Sequence, residues 1–288
     1  DYNSVDETKS AVQYNWGYDP VNYNIPEGSY STNPSDGKVR IRELKELIKT
    51  MHSNGLRIIM DVVYNHTALT KNSNFNILVP DYYYRKRADG SFSDASSCGN
   101  ETASEKAMFQ KFMIESVVYW VNEYHIDGFR FDLMGIHDIQ TMNMISDTLH
   151  KIKPSIVLYG EGWTSSSSPL PEDKRALKKN AAQLNGIAVF SDDMRDGIKG
   201  SVFNIDDRGF ATGNIANIES VKFGIVAASK HPQINYSKVN YSKEPYTAGP
   251  AGLINYADCH DNNILWDKIE LSFKSASTAE RTKMHELA

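Results

Sequence analysis

The chain has 288 residues, a formal net charge of −5 and an apolar share of 40%, the composition of a globular protein able to bury a sizeable core. Its Lys and Arg are scattered and form no stripe that could neutralise a phosphate backbone, so nucleic acid is excluded as the expected partner. No apolar run approaches the ~20 residues that span a bilayer, no charged-apolar-small leader opens the sequence, and Cys98 and Cys259 fit no disulfide framework or zinc spacing; a soluble chain with free thiols is expected.

In chain order, Ile41, Leu44, Leu47, Ile48 and Met51 stand at helical spacing and predict a helix over 39–53, stopped by Asn54-Gly55. The apolar run 57–63 then predicts a buried strand. Residues 67–104, rich in Tyr, Asn, Ser, Asp and Gly, are too many for an idle connection and predict an inserted excursion over a site. A helix over 105–124, with Phe109, Phe112, Met113, Val117, Trp120 and Val121 on one side, leads into a strand at 125–132. A third helix, 137–151, halts near Pro154 before a strand at 156–159. Residues 165–180 read as a surface loop, and 187–190 and 253–256 as two further strands. Helices alternating with apolar strands predict an α/β fold with a parallel sheet, and each strand ends in a polar cluster at the carboxyl end, where such folds build their sites.

The sharpest cluster is Asp127-Gly128-Phe129-Arg130-Phe131-Asp132, in which period 2 puts Arg130 and Asp132 on one strand face and the two Phe on the other. A buried Arg/Asp pair is a common structural device; the functional alternative is that Arg130 holds Asp132 ionised, as a carboxylate nucleophile must be. In Leu158-Tyr159-Gly160-Glu161-Gly162-Trp163 the flanking glycines permit close approach, and an apolar, partly dry setting would raise the Glu161 pKa so that it could donate a proton; a plain turn glutamate is the alternative. Asp61-Val62-Val63-Tyr64-Asn65-His66-Thr67 and Asn255-Tyr256-Ala257-Asp258-Cys259-His260-Asp261-Asn262 each set His beside acids or amides, which singly would read as capped strand ends. Four such clusters in one chain point to a shared acidic cleft. The 16 Tyr and 4 Trp supply flat amphipathic faces that could stack on sugar rings or build interfaces.

In order, spacing and residue type, those four segments resemble the conserved regions of the α-amylase clan of glycoside hydrolases. The segment 14–31, from Tyr14-Asn15-Trp16-Gly17-Tyr18-Asp19-Pro20 to Tyr30-Ser31, resembles the signature of type I pullulanases, as do Ser97-Cys98-Gly99-Asn100, Ser191-Asp192-Asp193-Met194-Arg195-Asp196-Gly197 and Leu265-Trp266-Asp267-Lys268. The resemblance implies a (β/α)8 TIM-barrel catalytic domain over 1–288 and retaining hydrolysis of α-1,6 branch linkages in an α-glucan such as pullulan or amylopectin. It further implies Asp132 as nucleophile, Glu161 as acid/base and Asp261 as third carboxylate. Arg130 would contact the nucleophile, His66 and His260 the sugar hydroxyls, and Tyr18 the sugar ring, with Trp163 and Trp266 lining the cleft and Asp61 and Asn65 shaping it. No organic cofactor is implied; a structural calcium is allowed, without an EF-hand spacing to support it. Other readings are an α-1,4-amylase, an isoamylase-type debrancher or a non-catalytic glucan-binding piece.

The barrel resembled is incomplete in this sequence. The five strands correspond to its third to seventh, with 67–104 following the third, and the helical run at 281–288 precedes an eighth. Missing strands and accessory domains are expected in the full-length protein, and the 288 residues alone are expected to be poorly stable and weakly active, with edges uncovered.

Overall fold

A computed structural model of the chain describes Tyr14 and residues 16–288; the polar lead 1–13 and Asn15 of the signature lie outside the described residues. The chain divides into two compact units, 1–187 and 188–288.

In the first unit, helix α1 (Gly37–Ser53) begins two residues before the predicted start because the Asp36 carboxylate accepts from Lys38 N and caps it. It ends as expected at Asn54, with Gly55 in the left-handed region at φ 75°. Strand β1 (Ile59–Val62) follows. The excursion contains one short helix, α2 (Asn74–Leu78), and two antiparallel bridges, Tyr84 with Thr102 and Lys86 with Phe92. Helix α3 (Ala107–Tyr124) is closed by His125 at φ 59°. His125 is therefore a left-handed helix cap and not the first strand residue as predicted, and strand β2 (Gly128–Phe131) starts later. Helix α4 (Ile139–Ile152) starts after its Asp138 cap and precedes β3 (Val157–Gly160).

The three strands pair in parallel, β1 with β2 and β2 with β3, with Asp61 opposite Arg130 and Arg130 opposite Tyr159. Phe129 and Phe131 are fully buried, together with Phe109, Met113 and Val117 of α3 and Met142, Ile145 and Leu149 of α4, which packs on α3. This leaves the other face of β2 to Arg130 and Asp132, as the alternation required. Several tyrosines that could have served sugars are core instead: Tyr23 stacks on Tyr64 at 5.6 Å between ring centroids, within a cluster of Phe75, Tyr83, Phe109 and Phe112.

In the second unit, β4 (Ala188–Phe190) pairs in parallel with β5 (Leu253–Ile254), both where strands were predicted. Between them run α5 (Asp192–Lys199), capped by Ser191, and α6 (Ile218–Ile225), which pack on each other. After them come α7 (Leu265–Ser272) and α8 (Thr278–Leu287), the latter started by a Ser277/Glu280 capping box. Among the described residues no helix is long and apolar enough to cross a membrane, and both cysteines are free.

Candidate active site

The sheet ladder runs one residue past the strands: Asp132 N donates to Val62 O at 3.1 Å, and Glu161 N to Phe131 O at 3.1 Å. Asp132 and Glu161 thus stand at the carboxyl ends of neighbouring parallel strands, held by backbone bonds. The glycines beside Glu161 serve the protein's own packing. A Cβ on Gly160 would lie 2.7 Å from Phe131 O, and one on Gly162 2.6 Å from Lys178 N.

One guanidinium gathers three carboxylates. Arg130 Nη1 lies 2.9 Å from Asp61 Oδ1 and 2.9 Å from Asp132 Oδ1, while Nη2 lies 2.9 Å from Glu161 Oε1. All three pairings favour the charged arginine strongly enough to outweigh burial, so its pKa is raised. Glu161 is buried, yet its surroundings are not apolar: Oε2 also accepts from Leu133 N at 2.7 Å. Leu133 makes that bond from a left-handed conformation, φ 40° and ψ 46°, which a branched side chain rarely adopts. The expected apolar pocket around Glu161 is therefore not what the structure shows: Arg130 Nη2 meets one of its oxygens and Leu133 N the other.

The expectation for Asp132 also needs correction. Burial raises its carboxyl pKa, and the Arg130 guanidinium and the Asn65 amide recover only part of that rise. Arg130 thus limits the shift and does not reverse it. Asn65 Nδ2 reaches Asp132 Oδ2 at 2.8 Å and its backbone O at 2.9 Å. Since that amide nitrogen is committed to Asp132, Asn65 Oδ1 accepts, at 2.6 Å, a proton carried on His66 Nδ1. Burial lowers the His66 pKa despite Asp132 and Asp19 nearby, so the ring is held neutral. Its Nε2, buried and without a hydrogen bond, lies 3.6 Å from Asp19 Oδ1 and is left as an acceptor. Tyr18 donates to Asp61 Oδ2, and the Arg130 guanidinium lies 5.7 Å from the Tyr18 ring centroid. Burial, then that bond to Asp61, raises the Tyr18 pKa.

The first unit thus brings together Tyr18, Asp61, Asn65, His66, Arg130, Asp132 and Glu161. Trp163 follows Glu161 by two residues and is half-buried, its backbone packed where a Cβ on Gly135 would lie 2.5 Å from Trp163 O. Asp61 and Asn65, read from the sequence as shaping residues, contact Arg130 and Asp132 directly. Asp19, beside His66, was not singled out; it lies within the Gly17-Tyr18-Asp19-Pro20 run, which was the available signal. A cavity of about 490 Å³ borders Asp61 but opens toward α1, lined by Tyr23, Leu44, Leu47 and Trp120, and does not reach Asp132 or Glu161.

The second unit carries the remaining candidates. His260 Nε2 and Asp261 Oδ1 are 3.7 Å apart and both side chains are about half exposed. Their turn is shaped by Asp258 Oδ1, which accepts from Cys259 N at 3.1 Å and Leu265 N at 3.2 Å, and by Asn262 at φ 61°. Trp266, on α7, meets the ring of His285 on α8 at 6.0 Å. Among the described residues no group of three or more His, Cys, Asp or Glu could hold a metal ion.

No protein-family model matches the chain. It is 40% identical over 288 residues to the pullulanase of Bacillus subtilis strain 168, covering all of this chain and 39% of that relative. It is 33% identical over 310 residues to a Klebsiella pneumoniae pullulanase, covering 93% of this chain and 27% of that one. The solved apo pullulanase of Paenibacillus barengoltzii matches with a TM-score of 0.91 at 50% identity, over 99% of this chain and 43% of that one. The Bacillus subtilis type I pullulanase, solved with maltose, matches with a TM-score of 0.92 at 40% identity, over 99% and 38%. The chain spans about two fifths of these proteins' length in the Bacillus and Paenibacillus cases. Its parallel α/β fold is that of part of an α-amylase-family barrel.

Proposed function

We propose that this chain, homologous to pullulanases throughout its length, carries the retaining hydrolytic centre of an enzyme that cuts α-1,6 branch linkages in an α-glucan. The observation that carries the reading is the single Arg130 guanidinium shared by Asp132 and Glu161, each at 2.9 Å, on neighbouring strand ends. Two carboxyls so joined can serve the two steps of a double displacement, which needs them about 5 to 5.5 Å apart. Glu161 gives a proton to the glycosidic oxygen while an Asp132 oxygen attacks the anomeric carbon; the C–O bond breaks and a glycosyl ester forms. Water, deprotonated by Glu161, then hydrolyses the ester with net retention.

Asn65 and Arg130 aim the Asp132 carboxylate by hydrogen bonds to its two oxygens. By the resemblance, the neutral His66 would hydrogen-bond a sugar hydroxyl once a glucan displaces its Asp19 neighbour, and Tyr18 would offer its ring to the sugar face. By the resemblance, Asp261 and His260 of the second unit would serve as third carboxylate and second imidazole, and Trp163 and Trp266 would contact sugar. The preference for α-1,6 bonds rests on the 14–31 segment and on the pullulanases the chain matches. No step requires a cofactor, and none runs through calcium.

The test uses the longer protein that contains this chain. Pullulan should yield maltotriose, with the α-anomer appearing first by NMR, and Asp132→Asn should abolish turnover while sparing glucan binding. First release of the β-anomer would refute retention, products other than maltotriose would move the reading to an α-1,4 enzyme, and binding without turnover in the parent would make it a glucan-binding module.

A further inference from the structure

Asn100, in the excursion 67–104, is fully buried and takes no part in the steps above. Its carboxamide engages both backbone groups of one residue: Nδ2 donates to Thr67 O at 2.6 Å, and Oδ1 accepts from Thr67 N at 3.1 Å. A side-chain amide so placed imitates a neighbouring strand and fixes both peptide planes of Thr67, one of which is shared with His66. Two residues on, Thr102 N donates to Asn65 O at 2.9 Å and Thr102 Oγ1 to Tyr64 O at 2.6 Å. The excursion thus holds the segment 64–67 at Tyr64, Asn65 and Thr67, while His66 O accepts from the Tyr23 hydroxyl at 3.2 Å and the buried His66 ring meets Asn65 Oδ1.

The clamp is itself stiff. Asp94 Oδ1 accepts from Cys98 N at 3.1 Å and Gly99 N at 3.0 Å, and Ser96 Oγ donates to Asn100 O at 2.6 Å. Ala95 O accepts from both Ser165 N and Ser166 N at 3.0 Å, in the loop that follows Glu161. The excursion thus ties the loop after the acid/base to the segment bearing Asn65 and His66.

Resting on the function proposed above, we propose that Asn100 is a positioning residue. It sets the His66 ring through the Thr67 backbone, and through the Asn65 amide it sets the Oδ2 oxygen of Asp132. A stabilising role alone would leave these bonds without consequence for turnover; a positioning role ties them to His66.

A double-mutant cycle on pullulan hydrolysis by the longer protein separates the two. Asn100→Ala should lower kcat by about 10- to 100-fold with little change in KM, since two buried bonds that orient the site are lost. In a His66→Ala background the same change should cost less than about twofold, while its effect on the melting temperature stays the same in both backgrounds. Should Asn100→Ala not fold, Asn100→Ser, whose hydroxyl can still bond one Thr67 group, enters the same cycle with the same expectation. Losses that multiply independently of His66 would overturn the positioning role alone. Unimpaired turnover by His66→Ala would overturn both this inference and the site reading beneath it.

Discussion

Replacing Arg130 by Met would leave Asp61, Asp132 and Glu161 without the cation they share, and the consequence can be worked from the geometry. A unit charge about 4 Å away contributes about 4 kcal/mol at an effective dielectric near 20. Water entering the vacated space would recover about half of that, leaving about 2 kcal/mol, or between one and two pKa units, on Asp132. The shift is upward, because burial already raises the Asp132 pKa and Arg130 is the first group opposing it. The proposed nucleophilic role requires Asp132 ionised, so the acid limb of kcat/KM against pH should move to higher pH by about one to two units, with kcat depressed at neutral pH. Arg130→Lys should move the limb less, since an ammonium cannot span three carboxylates as a planar fork does. Stability should fall by about 3 to 5 kcal/mol in the Met variant, because buried carboxylates lose their partner, so thermal melts must accompany the kinetics. A folded Arg130→Met enzyme with an unshifted acid limb would refute the claim that this guanidinium sets the Asp132 proton equilibrium.

Away from the site, Asp127 ties three elements together through Ile58 N, His52 and Lys153, at 2.8, 2.7 and 2.5 Å. Burial opposes its ionisation, but these partners prevail and lower its pKa from 3.8 to about 2. The folded value lies below the unfolded one, so the stabilisation, about 2.5 kcal/mol, is present above the unfolded pKa and is lost as pH falls through the folded one; urea titrations of Asp127→Asn against the parent should converge at acid pH. His137 is fully buried with neither ring nitrogen bonded, and burial, then the Arg85 charge, lowers its pKa from 6.5 to about 3. Only the unfolded chain binds that proton between those values, so this residue should contribute a loss of about 1.4 kcal/mol per pH unit as pH falls from 6.5 toward 3, absent in His137→Leu. In the second unit, Lys199 is fully buried and donates to Asn263 O at 3.1 Å, behind the turn that carries Asp261. Lys199→Met should therefore raise the pullulan KM by about three- to tenfold through a loosened turn, the bond being of ordinary strength; an unchanged KM would show that the turn holds without it.

Much of this was legible because periodicity reports what burial requires. Arg130 and Asp132 were placed on one face by alternation alone, and the five strands follow from apolar runs between helices. Caps were less legible. His125 ends α3 in a left-handed conformation, a choice made by the connection to β2 and not by any local propensity of histidine. The environment of Glu161 was not legible at all, because it depends on an arginine 31 positions earlier in sequence and on the N–H of a strained Leu133. Asn65 was legible as a cleft residue; its part in setting the tautomer of His66 needed the two bonds seen together.

Those two unforeseen contacts bear on where the proton resides before reaction. Asp61, Asp132 and Glu161 surround one cation, and the Tyr18 hydroxyl donates a hydrogen bond to Asp61. With all three carboxylates ionised the cluster would carry two uncompensated negative charges around that cation, with Asp132 and Glu161 largely buried and Asp61 exposed. Burial raises the Asp132 pKa, whereas the Glu161 oxygens meet Arg130 Nη2 and Leu133 N. The proposed mechanism needs Asp132 charged and Glu161 protonated at the moment of attack. A glycosidic oxygen seated against Glu161 in place of one of these donors would favour that distribution. On the proposed mechanism, an acid set by substrate arrival should give the pH profile of kcat a basic limb at higher pH than that of kcat/KM. Identical basic limbs would mean that Glu161 is protonated before the glucan arrives.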